Sequence, residues 1–323
     1  MPLKTSILNL FPNKILQTGG IWFPSYAELF ESTRLKKTIT GTKDYKNRVK
    51  DKWPSCEIIC GEWDYQLVNI CFIENVLKNI IWCLASNYVP VVKIKTTDGV
   101  NLWESMFEQP FPAHSDDTLL TVCPYKSAPI WFPVIPDEQD IRIIGNLYRS
   151  FFIPKKDVQE YFDFEYETLI KGKRVLGVLC RGTDYIMTKP AGHPVQPPIE
   201  DVINLTNKII EEMNVEFIYL ATEEAAIVQM FDEQFPNKVI TNKRLYYDSY
   251  YDLYNENEEA KISNVHFKRE NDSYYKSLEY LSSVNLLSKC CGLIAGNCGG
   301  SRAALYLNGG RYEYSYLFDL GLY

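Results

Sequence analysis

The sequence is poor in the residues from which metal and redox sites are made. It has three histidines, His114, His193 and His266. Its nine cysteines are odd in number and scattered: Cys56 and Cys60 stand four apart, Cys290 and Cys291 are adjacent, and no CxxC pair with a nearby histidine completes a zinc set. Free thiols in a reducing compartment follow, so a cytoplasmic location is expected. Long apolar runs are also missing. The most apolar stretch, Val76–Val92, is broken by Lys78, Asn79, Ser86, Asn87 and Pro90, which fits a buried helix running into a strand and not a membrane span. The first twenty residues have no continuous apolar core before a small-residue cleavage site, so no secretory leader is expected. Basic surplus is absent too. A formal net charge of -7 argues against a nucleic-acid partner while leaving room for a local basic pocket around a phosphorylated ligand. No strand-flanked Asp-x-Asp occurs, and Asp116-Asp117 reads as a solvated acidic turn. Repeats and low-complexity tracts are absent.

What is present points to an ordinary soluble α/β protein. At 323 residues the chain can hold two domains, and 46% hydrophobic with 23% charged residues is typical of globular folds. All six tryptophans (Trp22, Trp53, Trp63, Trp82, Trp103, Trp131) precede residue 132, whereas the strand–loop–helix pattern sharpens after residue 172. Two halves with different work are therefore expected, 1–172 and 173–323. Residues 1–55 are irregular, with a basic run around Lys36–Lys52. A strand at Glu57–Cys60, a loop at Gly61–Gln66, a helix over Leu67–Ala85 and a strand at Val89–Ile94 form one βαβ unit, which implies a parallel sheet with a right-handed crossover. The Pro-rich Phe111–Pro136 reads as a surface loop, and Leu147–Tyr161 and Phe164–Ile170 as helical pieces before a break at Lys171-Gly172-Lys173.

The second half alternates more regularly. Strands are expected at Val175–Cys180, Glu216–Ala221, Lys238–Thr241 and Gly292–Ala295, and helices at Ile199–Met213, from Thr222-Glu223-Glu224 to about Phe235, at Ser273–Lys289 and at Arg302–Leu307. The polar Asn242–Asp272 is too long for an ordinary connection and reads as a lid or a mobile segment.

The chemistry gathers where strands stop. Val175–Leu179 is a run buried on both faces that ends in Cys180-Arg181-Gly182-Thr183-Asp184. Ligands of open α/β sheets bind beyond the carboxyl ends of the strands. Parallel pairing would bring Arg181 and Asp184, Thr222, Glu223 and Glu224, and Asn297–Ser301 to one edge. A strand ending in GNCGGS and running straight into a helix leaves first-turn N–H groups for an anion, with glycines allowing close approach. The motif is neither GxGxxG nor GxxxxGK[ST]. Arg181 adds a permanently charged fork for two phosphate oxygens, and Thr222 and Glu223 sit where a ribose or a base edge could be held. Together these describe a nucleotide-diphosphate pocket.

Three segments, VLCRGTD, FIYLATEE and LLSKCCGLIAGNCGGSRAALYL, resemble the nucleotide-binding half of the fucosyltransferase superfamily, which groups α1,2-, α1,6- and protein O-fucosyltransferases of GT-B-type fold. The resemblance spans residues 57–310. The family's first motif reads approximately His-x-Arg-Arg-x-Asp. Its first Arg, the contact to the β-phosphate of GDP-fucose, falls on Arg181 and its Asp on Asp184, while its His falls on Leu179 and its second Arg on Gly182. LATEE resembles the LATDD segment beside the nucleoside, and GNCGGSR resembles the loop that holds the pyrophosphate, which implicates Asn297, Cys298, Gly299, Gly300, Ser301 and Arg302. GEWDYQL echoes the glycine-rich loop that opens the acceptor domain, without its second glycine.

The resemblance implies two Rossmann-like domains facing each other across a cleft, with the acceptor-side domain first and the donor domain second. It implies metal-independent, inverting transfer of fucose from GDP-fucose to a glycan hydroxyl, here in microbial surface polysaccharide synthesis, with no cofactor. Arg181 and the backbone donors at Gly299–Ser301 would stabilise charge growing on the leaving pyrophosphate. Asp184 and His193 are the candidate bases. Trp63, Asp64, Gln66, Trp103, Glu104 and Glu108 are candidates for holding the acceptor sugar. Two other readings stay open: a catalytically inactive nucleotide- or glycan-binding relative, for which Gly182 speaks, and a transferase using another nucleotide sugar. Peripheral membrane association and oligomeric state are left open by the sequence.

Overall fold

The computed structural model describes residues 55–60, 70–85, 89–94, 101–111, 118–122, 135–182, 184–248, 251–252 and 265–323. Trp63, Asp64, Gln66 and the basic run Lys36–Lys52 lie outside these residues. The chain divides into two compact units, 1–155 and 156–323. The helix over 156–169 therefore goes with the second unit, not with the first as the Lys171-Gly172-Lys173 break implied.

The first unit holds β1 (Ser55–Cys60), α1 (Ile70–Ala85), β2 (Val89–Ile94), α2 (Leu102–Met106), β3 (Thr118–Val122) and α3 (Glu138–Phe151). Its sheet has the order β2-β1-β3 with both pairings parallel, so the expected βαβ unit is present. β3 lies inside the stretch read as a surface loop, where the prolines outweighed a short TLLTV run. The core is aromatic. Trp103 is fully buried, with its ring 4.9 Å from Phe107 and 5.3 Å from Phe152, and its indole N–H donates to the Glu108 carbonyl. α3 opens with a capping box in which Asp137 and Asp140 each accept from the other's backbone N–H, at 2.8 and 3.1 Å. It ends at Phe151, because the residue before Pro154 is pushed out of the helical region. The helical break thus falls at 152–155, and Phe164 sits inside a continuous helix.

The second unit contains α4 (Lys156–Leu169), β4 (Val175–Leu179), α5 (Asp184–Thr188), α6 (Ile199–Met213), β5 (Phe217–Ala221), α7 (Ala225–Gln234), β6 (Val239–Ile240), α8 (Asp272–Lys289), β7 (Gly292–Gly296), α9 (Gly299–Asn308) and β8 (Tyr314–Phe318). The sheet order is β6-β5-β4-β7-β8, parallel throughout. Successive strands run outward from β4 to β6, then the chain returns to the other side of β4. That is the doubly wound, Rossmann-like order, with its topological switch between β4 and β7.

The strand period of two assigns the faces. Leu176, Val178, Ile218 and Leu220 pack with Val202 and Ile209 of α6 and Phe231 of α7. The odd-numbered residues turn the other way: the Tyr219 hydroxyl accepts from Ser283 of α8 at 3.1 Å, and a Cβ on Gly177 would touch Leu287 at 3.1 Å. α6 forms because Val202, Thr206, Ile209 and Ile210 recur on one buried stripe, and it stops at Asn214 in the left-handed region (φ 50). None of the described helices is long and apolar enough to cross a membrane.

Candidate functional site

Parallel pairing of β5, β4 and β7 brings their carboxyl ends side by side. At those ends a pocket is lined by Leu179, Cys180 and Arg181 after β4, by Ala221, Thr222 and Glu223 after β5, and by Cys298 after β7. Tyr280, Ser283 and Val284 of α8 close one side, and Arg244, from the segment after β6, completes the lining. The three strand ends expected to converge therefore do so, at the switch point of the strand order.

Arg181 is mostly buried and is held on two sides. One guanidinium nitrogen lies 3.6 Å from the Glu223 carboxylate, with side-chain exposures of 17% and 12%. The guanidinium plane also sits 4.2 Å over the Tyr185 ring of α5. Tyr185 in turn places its hydroxyl 3.0 Å from His193 Nδ1, with the two rings edge to face. Arg181, Tyr185 and His193 thus form a stack running from the pocket to solvent, and His193, at its outer end, is exposed. The loop carrying His193 is pinned by backbone hydrogen bonds between Gly192, His193, Val195 and the C-terminal residues Gly321 and Tyr323. Asp184 opens α5 directly after the motif, and its side chain is not among those described.

A side chain at the position after Arg181 would have to displace the Glu224 carboxylate. A Cβ on Gly182 would lie 1.7 Å from Glu224 Oε1. Glu224 is buried and its other oxygen accepts from the Tyr251 hydroxyl at 2.8 Å. The carboxylate thus occupies the space that a side chain at position 182 would need. Thr222, also buried, has its hydroxyl accepting from the Glu224 N–H at 3.3 Å, which shapes the turn after β5.

The glycine-rich segment behaves as a helix start. α9 begins at Gly299, three residues earlier than the expected Arg302, because Gly299 and Gly300 take helical geometry behind the N-cap Cys298. Ser301 is fully buried, and its hydroxyl accepts from the Cys298 N–H and donates to the Cys298 carbonyl, both at 2.9 Å. The Cys298 sulfur faces the Ser301 N–H to complete the capping box. Ser301 is thus a correction to the expected backbone donors, since its N–H faces the Cys298 sulfur and its hydroxyl is also spent inside the cap. That leaves the first-turn N–H groups of Gly299 and Gly300 as the helix-terminal donors. Gly300 lies tightly beneath the Tyr280 hydroxyl, 3.1 Å from where a Cβ would stand. Asn297 is buried, accepts from Arg302 at 3.1 Å through its side chain and from Gln196 at 2.9 Å through its carbonyl. Both residues hold the loop; neither lines the pocket.

Cys180 lines the pocket with a fully buried thiol whose pKa burial pushes well up, so it stays protonated. Trp103 is a second correction: it is a core residue of the first unit with no surface to offer a sugar. Glu104 is exposed on α2 and accepts from Gln109 at 2.8 Å, and Glu108 is exposed beyond it. Arg244 was missed by sequence reasoning because it sits in a polar stretch without periodicity. Its signal was position, four residues beyond the end of a short parallel strand.

Fold and site together define an α/β protein whose second unit is a Rossmann-like domain with an arginine-bearing pocket at its strand switch. No family model matches the sequence, and no curated protein matches it. Among solved structures, the chain is similar to a mutant of Arabidopsis thaliana FUT1 in complex with GDP, at 11% identity over 94% of this chain and 81% of that one, with a TM-score of 0.47. It is similar to fucosyltransferase NodZ from Bradyrhizobium, at 10% identity over 78% and 93% of the two chains and a TM-score of 0.44. POFUT1 in complex with GDP gives 10% identity over 86% and 79%, with a TM-score of 0.39.

Proposed function

We propose that the protein is a glycosyltransferase of the fucosyltransferase type, transferring fucose from GDP-fucose to a glycan hydroxyl in surface polysaccharide synthesis. The observation that carries this reading is the placement of Arg181 in one pocket with Thr222, Glu223 and the start of α9, at the strand switch. The VLCRGTD, LATEE and GNCGGSR motifs supply the choice of donor. In the reaction, the acceptor oxygen attacks the anomeric carbon from the face opposite the nucleotide, the bond to the pyrophosphate oxygen breaks, and the acceptor proton leaves to a base. Negative charge grows on the departing GDP. Arg181 and the N–H groups of Gly299 and Gly300 would stabilise it, so the proposed chemistry asks for no metal ion. The base is drawn from Asp184 and His193, and Glu104 and Glu108 of the first unit are candidates for the acceptor. The free thiols of the described cysteines favour a reducing, cytoplasmic setting.

Protein incubated with GDP-fucose and chelator, without acceptor, is expected to release GDP slowly, and Arg181→Ala should lower that rate by roughly 10²–10³-fold. Release that strictly needs a divalent ion contradicts the metal-free mechanism. Binding of GDP without any release favours the second reading, a nucleotide-binding relative without turnover, which the Glu224 carboxylate at the Gly182 position supports.

A further inference from the structure

The motif that holds Arg181 carries one arginine, yet a diphosphate carries more charge than one guanidinium can neutralise. The segment after β6 offers another. Arg244 lines the same pocket as Arg181 and Glu223. Among the lining residues, two guanidinium groups stand against one carboxylate, and Glu223 is already 3.6 Å from Arg181. The other acids nearby are engaged elsewhere. Glu279 pairs with Arg269, Asp272 with Arg269 at 2.8 Å and with Lys276 at 3.6 Å, and the Glu165 carboxylate accepts from Tyr161, Ser282 and the Lys243 N–H. Arg244 itself packs loosely against the Tyr247 ring, 6.0 Å away, and its buried Nε finds no hydrogen-bond partner among the described residues. A permanently charged group in that state lowers its free energy by gaining an anion.

The chain on both sides of Arg244 is anchored. Asn242, buried, accepts from the Tyr219 hydroxyl at 3.0 Å and donates to the Glu279 carbonyl at 3.0 Å. The Lys243 N–H donates to Glu165 at 3.1 Å, and the Tyr247 N–H donates to the Glu223 carbonyl at 2.8 Å. Fixed anchors on both sides of Arg244 deliver its guanidinium to the pocket with little further ordering on binding.

We infer that Arg244 is the second phosphate-gripping residue of the pocket, selecting a nucleoside diphosphate over a monophosphate in place of a second arginine in the Arg181 motif. This rests on the nucleotide-sugar reading given above. The test is calorimetric titration of GDP and of GMP, with chelator, against wild type, Arg181→Ala, Arg244→Ala and Arg244→Lys. Arg244→Ala should weaken GDP by roughly 10–100-fold, the value of a charge-assisted contact, while changing GMP by less than about threefold. Arg244→Lys should recover part of the GDP affinity. Equal losses for GDP and GMP, or no loss, with Arg181→Ala still impaired, overturns the role of Arg244 and leaves the nucleotide-sugar reading standing. Failure of wild type to bind GDP at all overturns both. Thermal melting of each variant within a few degrees of wild type, together with the partial rescue by Arg244→Lys, separates a lost contact from a lost fold.

Discussion

The two units bury different kinds of residue. In the first, the described core around α2 and α3 is aromatic and aliphatic: Trp103, Phe107, Phe111, Tyr148, Phe151 and Phe152 gather between the helices. In the second, one face of the sheet is an apolar core of aliphatic residues with Phe231 and Phe235, while the α8 face and the strand ends bury Thr222, Glu224, Asn242, Lys276, Ser282, Ser283, Asn297 and Ser301. Burying polar groups is costly unless each is hydrogen-bonded, and here the bonds close on one another. Tyr219 bridges Asn242 and Ser283, and Ser301 closes the cap of α9. Thr222 and Ser283 line the pocket itself. A chain departs from the simple core rules where it has a ligand to position.

The contrast can be broken from either side. Trp103→Ala removes the largest fully buried side chain among the described residues of the first unit and should cost about 3–5 kcal/mol of its stability, read by denaturant unfolding. GDP affinity in the second unit should change little; an equal loss of GDP binding would join the aromatic core to the site. Gly182→Ala should have a smaller effect. Its Cβ has to displace the buried Glu224 carboxylate, at about 1–3 kcal/mol, and the paired change Glu224→Ala should recover most of it in thermal melts. A Gly182→Ala protein as stable as wild type would show that the turn is loose.

Much of this organisation is legible from the residues. β4, β5, β7 and α6 follow from apolar runs and a regular stripe, and their convergence at Arg181, Glu223 and Cys298 follows from parallel pairing. Other parts were hidden for physical reasons. Trp103 with Glu104 and Glu108 has the composition of a sugar platform, but a tryptophan among phenylalanines is equally a core residue, and tertiary packing decided it. Gly299 and Gly300 look like loop residues, although a glycine pair can open a helix when the following Ser301 closes the cap. β8 was overlooked despite Tyr314, Tyr316 and Phe318 alternating at strand period, because it is a half-exposed edge. Arg244 is the omission that matters most. Only the sheet order, which sets β6 beside β5, brings it to Arg181.

Amide hydrogen exchange with and without GDP, in chelator, tests most directly whether the strand switch is the donor site. Slowed exchange is predicted at Cys180–Gly182, Thr222–Glu224 and Cys298–Gly300, with none at Leu102–Phe111 or along α3. Protection confined to the first unit, or no protection at saturating GDP, would contradict it.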